Sequence, residues 1–360
     1  MSSSKDRAAD GAPVRVGLVG LGGHGRNIRR VAAEAHSVEV AAVFDLDEEV
    51  GREAAAELDC EADASYEALL ARDDLEAVVL VTPNHLHRQQ TEQALRAGKH
   101  VLVEKPIANT VRDGRAMIEA AEAAGRVLMV GHNQRRNQPA RRTREALEEN
   151  RLGKVVSAEI RFSADGTRRM GEGEWRLRPE QCPLLPVVQL GIHAIDLMHF
   201  LVGPIQRVHA QTQSVTTPPG VVDSVTATFR IPADARTGRQ TDVLGTLVSN
   251  YCTPVAFDYR LDGTEGTLRC TPHRFWFRSA EDTDGRGQGP AETHDLTGRH
   301  AESYRRQMDA FGEAVRTGEP PETDGPAALQ ALAVVEALQH SAEQGAPQSV
   351  PLMGRKGQLA

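Results

Sequence analysis

Two segments of different periodicity predict an α/β domain with a doubly wound parallel sheet, followed by an α+β domain with a large, mostly antiparallel open sheet. From Val14 to Gly131, short continuous apolar runs alternate with stretches of helical spacing, as when parallel strands are buried by helices on both faces. From Ile205 onward, strand-like runs are separated by turn chemistry such as Pro218-Pro219-Gly220 and Asp262-Gly263. A glycine-rich turn between the first strand and the first helix is the third observation. The 360 residues, 40% hydrophobic and 26% charged, suit about two domains, expected at 14–131 and 132–360.

Composition also limits the function classes. A formal charge of -8 argues against a dedicated nucleic-acid or membrane-surface binder. No apolar run approaches the ~18 residues needed to span a bilayer. Met1–Pro13 lacks an apolar core segment and reads as a flexible leader, not a signal peptide. Cys60, Cys182, Cys252 and Cys270 are scattered, without zinc-type pairing or a dense disulfide framework, which suits reduced thiols in a cytoplasmic protein.

The first elements read strand Val14–Val19, turn Gly20-Leu21-Gly22-Gly23-His24-Gly25, a helix with Ile28, Val31, Ala32 and Ala35 on one side, strand Val38–Phe44, then Asp45. This order suits a dinucleotide. Gly20 permits the tight turn, Gly22 lets backbone approach the pyrophosphate, and Gly25 lets the helix pack closely on the strand. The N–H groups of the helix start, around Gly23 and His24, face the phosphates. Asp45 would accept hydrogen bonds from the adenosine ribose and repel a 2′-phosphate. It is followed by Leu46-Asp47 and no Arg, so NAD is favoured over NADP.

Helical spacing over Glu48–Leu58 and Ser65–Arg72 leads to the apolar run Ala77–Val81, which ends in Thr82-Pro83-Asn84-His85-Leu86-His87. A helix over Gln89–Ala97 stops at Gly98, and strand His100–Val103 ends in Glu104-Lys105-Pro106. Helix Val111–Ala124, closed by Gly125, precedes strand Val127–Val130 and Gly131-His132-Asn133. Ligands of doubly wound sheets bind beyond the carboxyl ends of the strands. Thr82, Pro83, Asn84, His87, Glu104 and Lys105 are therefore expected along a cofactor crevice. His85 and His87 lack a nearby carboxylate or Cys, which favours a capping or cofactor-side role, and no metal site is expected.

The combination of GLVGLGGHG, TPNHLH, GKHVLVEKPIA and QLGIHAIDL resembles the Gfo/Idh/MocA oxidoreductase family across nearly the whole chain. The resemblance implies that Lys105 lies near the nicotinamide and the reacting hydroxyl, that Glu104 contacts the nicotinamide ribose, and that Pro106 often follows a cis peptide. On physical grounds a Lys at a strand end could stabilise developing negative charge on a substrate oxygen.

In the second domain, Asn133, Gln134, Arg135 and Arg136 precede a helix carrying Arg141, Arg142 and Arg144 beside Glu145, Glu148 and Glu149, most of which read as a solvated face. The resemblance places Asn133–Arg136 over the substrate, so Asn133 and one or both of Arg135 and Arg136 are candidate ligands of hydroxyls or a carboxylate. Strand Val155–Ser163 leads to a charged, Gly-rich stretch and then Trp175-Arg176, where Trp175 is either a platform for a sugar face or a loop anchor. A helix over Leu190–Leu201 carries His193 and Asp196, and with Gln189 these fall on one helical face by i, i+4, i+7 spacing. The resemblance makes His193 the catalytic histidine, taking the hydroxyl proton, and Asp196 the acid that supports it. The family's first Asp of this motif is Gln189 here, which can donate and accept hydrogen bonds but cannot take a proton. Cys182-Pro183-Leu184-Leu185-Pro186 replaces the family's Gly-rich approach.

Strands are expected at Arg207–Thr216, Ser224–Ile231, Asp242–Tyr251, Ala256–Asp262 and Thr267–Cys270, then a surface loop over 279–298 and two amphipathic helices, Ala301–Thr317 and Pro326–Glu343. The resemblance implies NAD-dependent oxidation or reduction of a secondary alcohol on a sugar, sugar derivative or cyclitol by a homodimer or homotetramer. A redox-neutral glycosidase or lyase with retained NAD, and a non-enzymatic NAD or sugar sensor, are the alternatives.

Overall fold

The computed structural model describes residues 11–171, 173–234, 240–281, 291–296 and 300–354. Most of the expected leader, the turn around 235–238 and much of the loop at 279–298 fall outside the described residues. The chain forms two compact units, Met1–Asn133 with Arg299–Leu329, and Gln134–Gly298 with Gln330–Ala360.

In the first unit, the described strands β1 (Val14–Val19), β2 (Val38–Phe44), β3 (Glu61–Ala62), β4 (Ala77–Leu80), β5 (His100–Val103) and β6 (Leu128–Val130) form a parallel sheet in the order β3-β2-β1-β4-β5-β6. Every residue of β4 and β6 is buried, as the unbroken apolar runs require. Helices α1 (Gly25–Ala32), α2 (Glu48–Leu58), α3 (Tyr66–Leu70), α4 (His87–Arg96) and α5 (Val111–Ala124) connect the strands. Their ends follow local chemistry. Asp47 caps α2 by accepting from Glu49 N at 3.0 Å, and Thr110 caps α5 by accepting from Asp113 N at 3.1 Å. Gly125 closes α5 in the left-handed conformation, at φ 59°. The two-residue β3 and a 3₁₀ turn at Asn84–Leu86 are absent from the sequence reading.

A helix from far along the chain, beyond the expected boundary at 132, joins the first unit. His300–Thr317 belongs to the first unit, where Tyr304, Met308 and Phe311 join Val14, Val16, Val38 and Ile28 in one apolar cluster. Burial stabilises the join by roughly 1.5–3 kcal/mol for each fully buried large apolar side chain such as Met308 and Phe311, while the loop-closure cost grows by only ~0.6 kcal/mol per doubling of length. Asp309 fastens the helix by accepting from the backbone N–H groups of His36 (2.7 Å) and Ser37 (3.0 Å).

The second unit is built on a sheet whose described strands run in the order β14-β13-β12-β11-β7-β10-β9-β8-β15. These are β7 (Val155–Asp165), β8 (Arg207–Gln213), β9 (Ser224–Ile231), β10 (Val243–Asn250), β11 (Cys252–Gly263), β12 (Gly266–Thr271), β13 (Arg274–Ser279), β14 (Glu292–Asp295) and β15 (Gln348–Ser349). The β7–β10 pair is parallel and the other neighbours are antiparallel. Part of the expected 279–298 loop is strand, because Glu292–Asp295 pairs with Arg274–Phe277. Short, charged edge strands of this kind carry little apolar signal. Helices α6 (Gln138–Glu148) and α7 (Ile192–Leu201) also belong to this unit. Among the described residues, no helix is long and apolar enough to cross a membrane.

Candidate active site

The first unit presents a cradle at the carboxyl ends of β1 and β2. Gly20 turns at φ 86°, and a Cβ there would stand 2.8 Å from the Val81 carbonyl oxygen. A Cβ on Gly25 would stand 2.1 Å from the Gly20 oxygen, so α1 can start this close to β1 only with glycine. Gly22 and Gly23 have open space where a Cβ would be, which leaves their backbone approachable. The loop is tied to the end of β2 twice: Gly20 N donates to Phe44 O at 3.0 Å, and Leu21 N donates to the Asp45 carboxylate at 2.6 Å. The second Asp45 oxygen accepts from Asp47 N at 3.0 Å, and Leu46 beside it is 87% exposed. Each Asp45 oxygen has a further lone pair for a ribose hydroxyl. The residues fit a dinucleotide: an open Gly22-Gly23 backbone at a helix start, and an oriented carboxylate at the next strand end.

A polar group lies beyond β5. Glu104 is buried, and its side chain sits where a Cβ on Gly131 would be, 2.6 Å away. Gln307 Nε2 donates to Glu104 Oε1 at 3.4 Å, and His24 Nε2 stands 4.0 Å from the same oxygen. The His24 ring packs against Tyr304 at 5.3 Å, and burial with the nearby Glu104 charge pushes the Tyr304 hydroxyl far above its ordinary pKa, so it stays neutral. Sequence reading missed Tyr304 and Gln307 as site residues. The i, i+4 spacing of Ser303 and Gln307 on the apolar face of their helix was the available signal. Lys105 is half-buried and precedes a cis peptide to Pro106.

Several expected site residues are buried or hydrogen-bonded within the first unit. His87, expected in a capping or cofactor-side role, is fully buried, with Nδ1 2.8 Å from Pro106 O and Nε2 2.9 Å from Thr82 O. Asn84 is buried at the head of its 3₁₀ turn. Thr82 Oγ1 donates to Gln90 Oε1 at 2.5 Å, and Pro83 is half-buried. Asn133 is fully buried and donates to Ser303 Oγ at 2.8 Å.

The second unit has its own polar cluster around α7. His193 is buried, with its ring 5.7 Å from that of Phe162 on β7. One α-helical turn on, Asp196 is fully buried and receives two hydrogen bonds from Arg135, Nε at 2.8 Å and Nη2 at 2.6 Å. Arg135, a candidate substrate ligand from sequence, is thus engaged with Asp196. Arg136 is also buried.

Gln189 precedes the helix that carries His193 and Asp196, as expected, but within a turn of another kind. Val187–Gly191 form a π-helical turn, and α7 starts only at Ile192. The i→i+5 pattern gives this turn a wider pitch than the helix that carries His193 and Asp196, and such turns recur at functional sites. Ser249 Oγ donates to Pro186 O at 2.8 Å at the head of the turn. Gln189 accepts from Arg176 Nε at 3.2 Å and donates to Cys182 Sγ at 3.4 Å. Arg176 is also paired with Glu174 at 2.8 Å and stacks on Trp175 at 4.4 Å. Trp175, half-buried, lies on a 3₁₀ turn. Leu184, in the Pro-Leu-Leu-Pro segment, holds a left-handed φ of 48°, a strained conformation for a bulky residue. Among the described residues, no group of three or more His, Cys, Asp or Glu is placed to hold a metal.

A parallel sheet with a glycine cradle and a loop-anchoring carboxylate defines a dinucleotide-binding Rossmann protein. Residues 14–132 match the oxidoreductase family described by its NAD-binding Rossmann fold, and residues 144–352 match that family's C-terminal alpha/beta domain. The chain belongs to the Gfo/Idh/MocA oxidoreductase family. It is similar to D-xylose 1-dehydrogenase (NADP(+)) 2 of Haloferax volcanii, at 32% identity over 92% of this chain and 98% of that one. The 1,5-anhydro-D-fructose reductase of Ensifer adhaerens is 31% identical over 76% of this chain and 80% of its own. A solved levoglucosan dehydrogenase, in complex with NADH and levoglucosan, shares the fold with a TM-score of 0.83 at 21% identity, over 94% of this chain and 100% of that one.

Proposed function

We propose that this protein is an NAD-dependent oxidoreductase acting on a secondary alcohol of a sugar, sugar derivative or cyclitol. The observation that carries this reading is the Asp45 carboxylate, held at the mouth of the glycine turn by Leu21 N and Asp47 N with lone pairs to spare. A fixed negative charge there favours ribose hydroxyls over a 2′-phosphate. Relatives named for D-xylose and 1,5-anhydro-D-fructose support a sugar-like substrate, although the first is named for NADP. When bound, the nicotinamide accepts or returns the hydride, so the protein's share is positioning and electrostatics. Lys105 hydrogen-bonds the reacting oxygen and stabilises its developing charge. His193 accepts the hydroxyl proton. Asp196, neutralised by Arg135, fixes the helical turn behind His193. Gln189, held between Arg176 and Cys182, serves as a neutral pocket wall and takes no proton. Trp175, Arg176 and Arg136 remain the candidate substrate contacts of this unit.

The test is a panel of sugars, sugar acids and inositols, assayed for reduction of NAD with NADP in parallel. At least one polyol should reduce NAD faster than NADP, and Lys105→Met and His193→Ala should each lower kcat by at least ~10²-fold. Failure of every polyol with both dinucleotides overturns the reading.

Two further properties belong to the same reading. The four cysteines are free thiols, which supports a cytoplasmic location. The solvent face of the second sheet carries cross-strand rows such as Ser157-Leu244-Arg230-Arg207, with Leu244 62% exposed, which supports pairing of copies across it. The expected state is a homodimer or homotetramer; a monomer mass in sedimentation at micromolar concentration would refute it.

A further inference from the structure

His87 opens α4, yet its ring lies between the ends of two neighbouring parallel strands, β4 and β5. The Thr82 carbonyl, just past β4, is 2.9 Å from Nε2, and the Pro106 carbonyl, just past β5, is 2.8 Å from Nδ1. As an imidazolium the ring donates to both; as a neutral ring it donates to one. Burial, with Lys105 nearby, pushes its pKa down to about 4, so the neutral form holds at physiological pH. Lys105 is thereby bracketed. On one side, Glu104 N donates to Leu80 O at 2.9 Å; on the other, the carbonyl that follows Pro106 meets the His87 ring.

We propose that His87 is a positioning residue for Lys105, holding the Glu104-Lys105-Pro106 turn in place through its Nδ1 contact with the Pro106 carbonyl. This rests on the reading of Lys105 given above. A group that must meet a reacting oxygen is sensitive to small displacements, and a shift of about 1 Å costs up to ~10²-fold in rate. A ring that only fills space would not distinguish its two nitrogens. The latch does: a neutral ring has one N–H, carried here by Nδ1, so the Pro106 arm is a hydrogen bond and the Thr82 arm a contact only.

Three variants separate the arms. His87→Phe keeps the ring and removes both nitrogens. His87→Asn places an amide nitrogen at the Nδ1 position, within reach of Pro106 O, and His87→Gln places one near the Nε2 position, within reach of Thr82 O. The readouts are kcat and KM on the best polyol, the dissociation constant of NADH, and amide hydrogen exchange over residues 104–110 in the dinucleotide-free protein. His87→Phe should lose at least about tenfold in kcat, bind NADH within about threefold of wild type, and exchange faster over 104–110. His87→Asn should recover most of kcat and the slow exchange, and His87→Gln should not. A folded His87→Phe with kcat within about twofold of wild type and unchanged exchange overturns the proposal, as does an Asn variant no better than Gln. If the Phe variant does not fold, the Asn–Gln comparison decides. If wild type turns over no polyol, the reading of Lys105 fails, and exchange over 104–110 still supports or refutes the latch.

Discussion

Arg135 takes both carboxylate oxygens of the fully buried Asp196. Removing one partner of such a pair costs roughly 3–5 kcal/mol, because the other charge stays buried. The pair is therefore a fixed support one turn from His193. Its members are 61 residues apart, and spacing alone gave no means of pairing them. His87 was equally illegible: sequence placed it at a strand end but not the direction of its ring. Gly20, Gly25 and Asp45 were legible because their chemistry is local, each defined by its own turn or strand end. Asp45 also carries a prediction. Asp45→Asn keeps an acceptor for the backbone N–H groups and removes the charge, so the NADP-to-NAD affinity ratio should rise by at least about tenfold, on the order of 1.4 kcal/mol. Titration of both dinucleotides against wild type and variant checks it, and an unchanged ratio would assign the preference elsewhere.

Among elements, legibility followed apolar continuity. Strands β1, β2 and β5 were readable to the residue, because each is a largely apolar run bounded by turn chemistry. The π-helical turn at Val187–Gly191 was not, since one added residue per turn leaves the composition unchanged. Charged edge strands and the partner chosen by the helix His300–Thr317 were hidden for a similar reason: both depend on distant surfaces. The joint of β5 and β6 supplies a pH test. His100 Nδ1 accepts from Val127 N at 2.9 Å, and burial, aided by Arg126, pushes its pKa down to about 4; His87 is shifted to about the same value. The unfolded chain takes up these protons near pH 6.5 and the folded chain only near 4, so stability falls as pH drops through that window. His100→Asn retains an acceptor for Val127 N without the titration. Its unfolding free energy, from urea titrations, should fall less steeply than wild type between pH 7 and 5, by up to about 1.4 kcal/mol per pH unit. Parallel curves would contradict the assignment.

At the scale of the whole molecule, the chain combines a parallel sheet that cradles a dinucleotide with a broad mixed sheet, and it belongs to the Gfo/Idh/MocA oxidoreductases. That much was present in the sequence, because the glycine turn, the strand-end motifs and the change of periodicity are each written in consecutive residues. The neutral Gln189, tied to Arg176 and Cys182, is where this chain departs from its family's motif. The central claim is that the net reaction is redox. The direct measurement is stoichiometry: with the best polyol of the panel, the dinucleotide reduced and the carbonyl product formed are counted in one reaction. The account predicts one NADH per sugar oxidised. Sugar consumed with no net NADH, as in a hydrolysis or elimination that regenerates NAD, would contradict it.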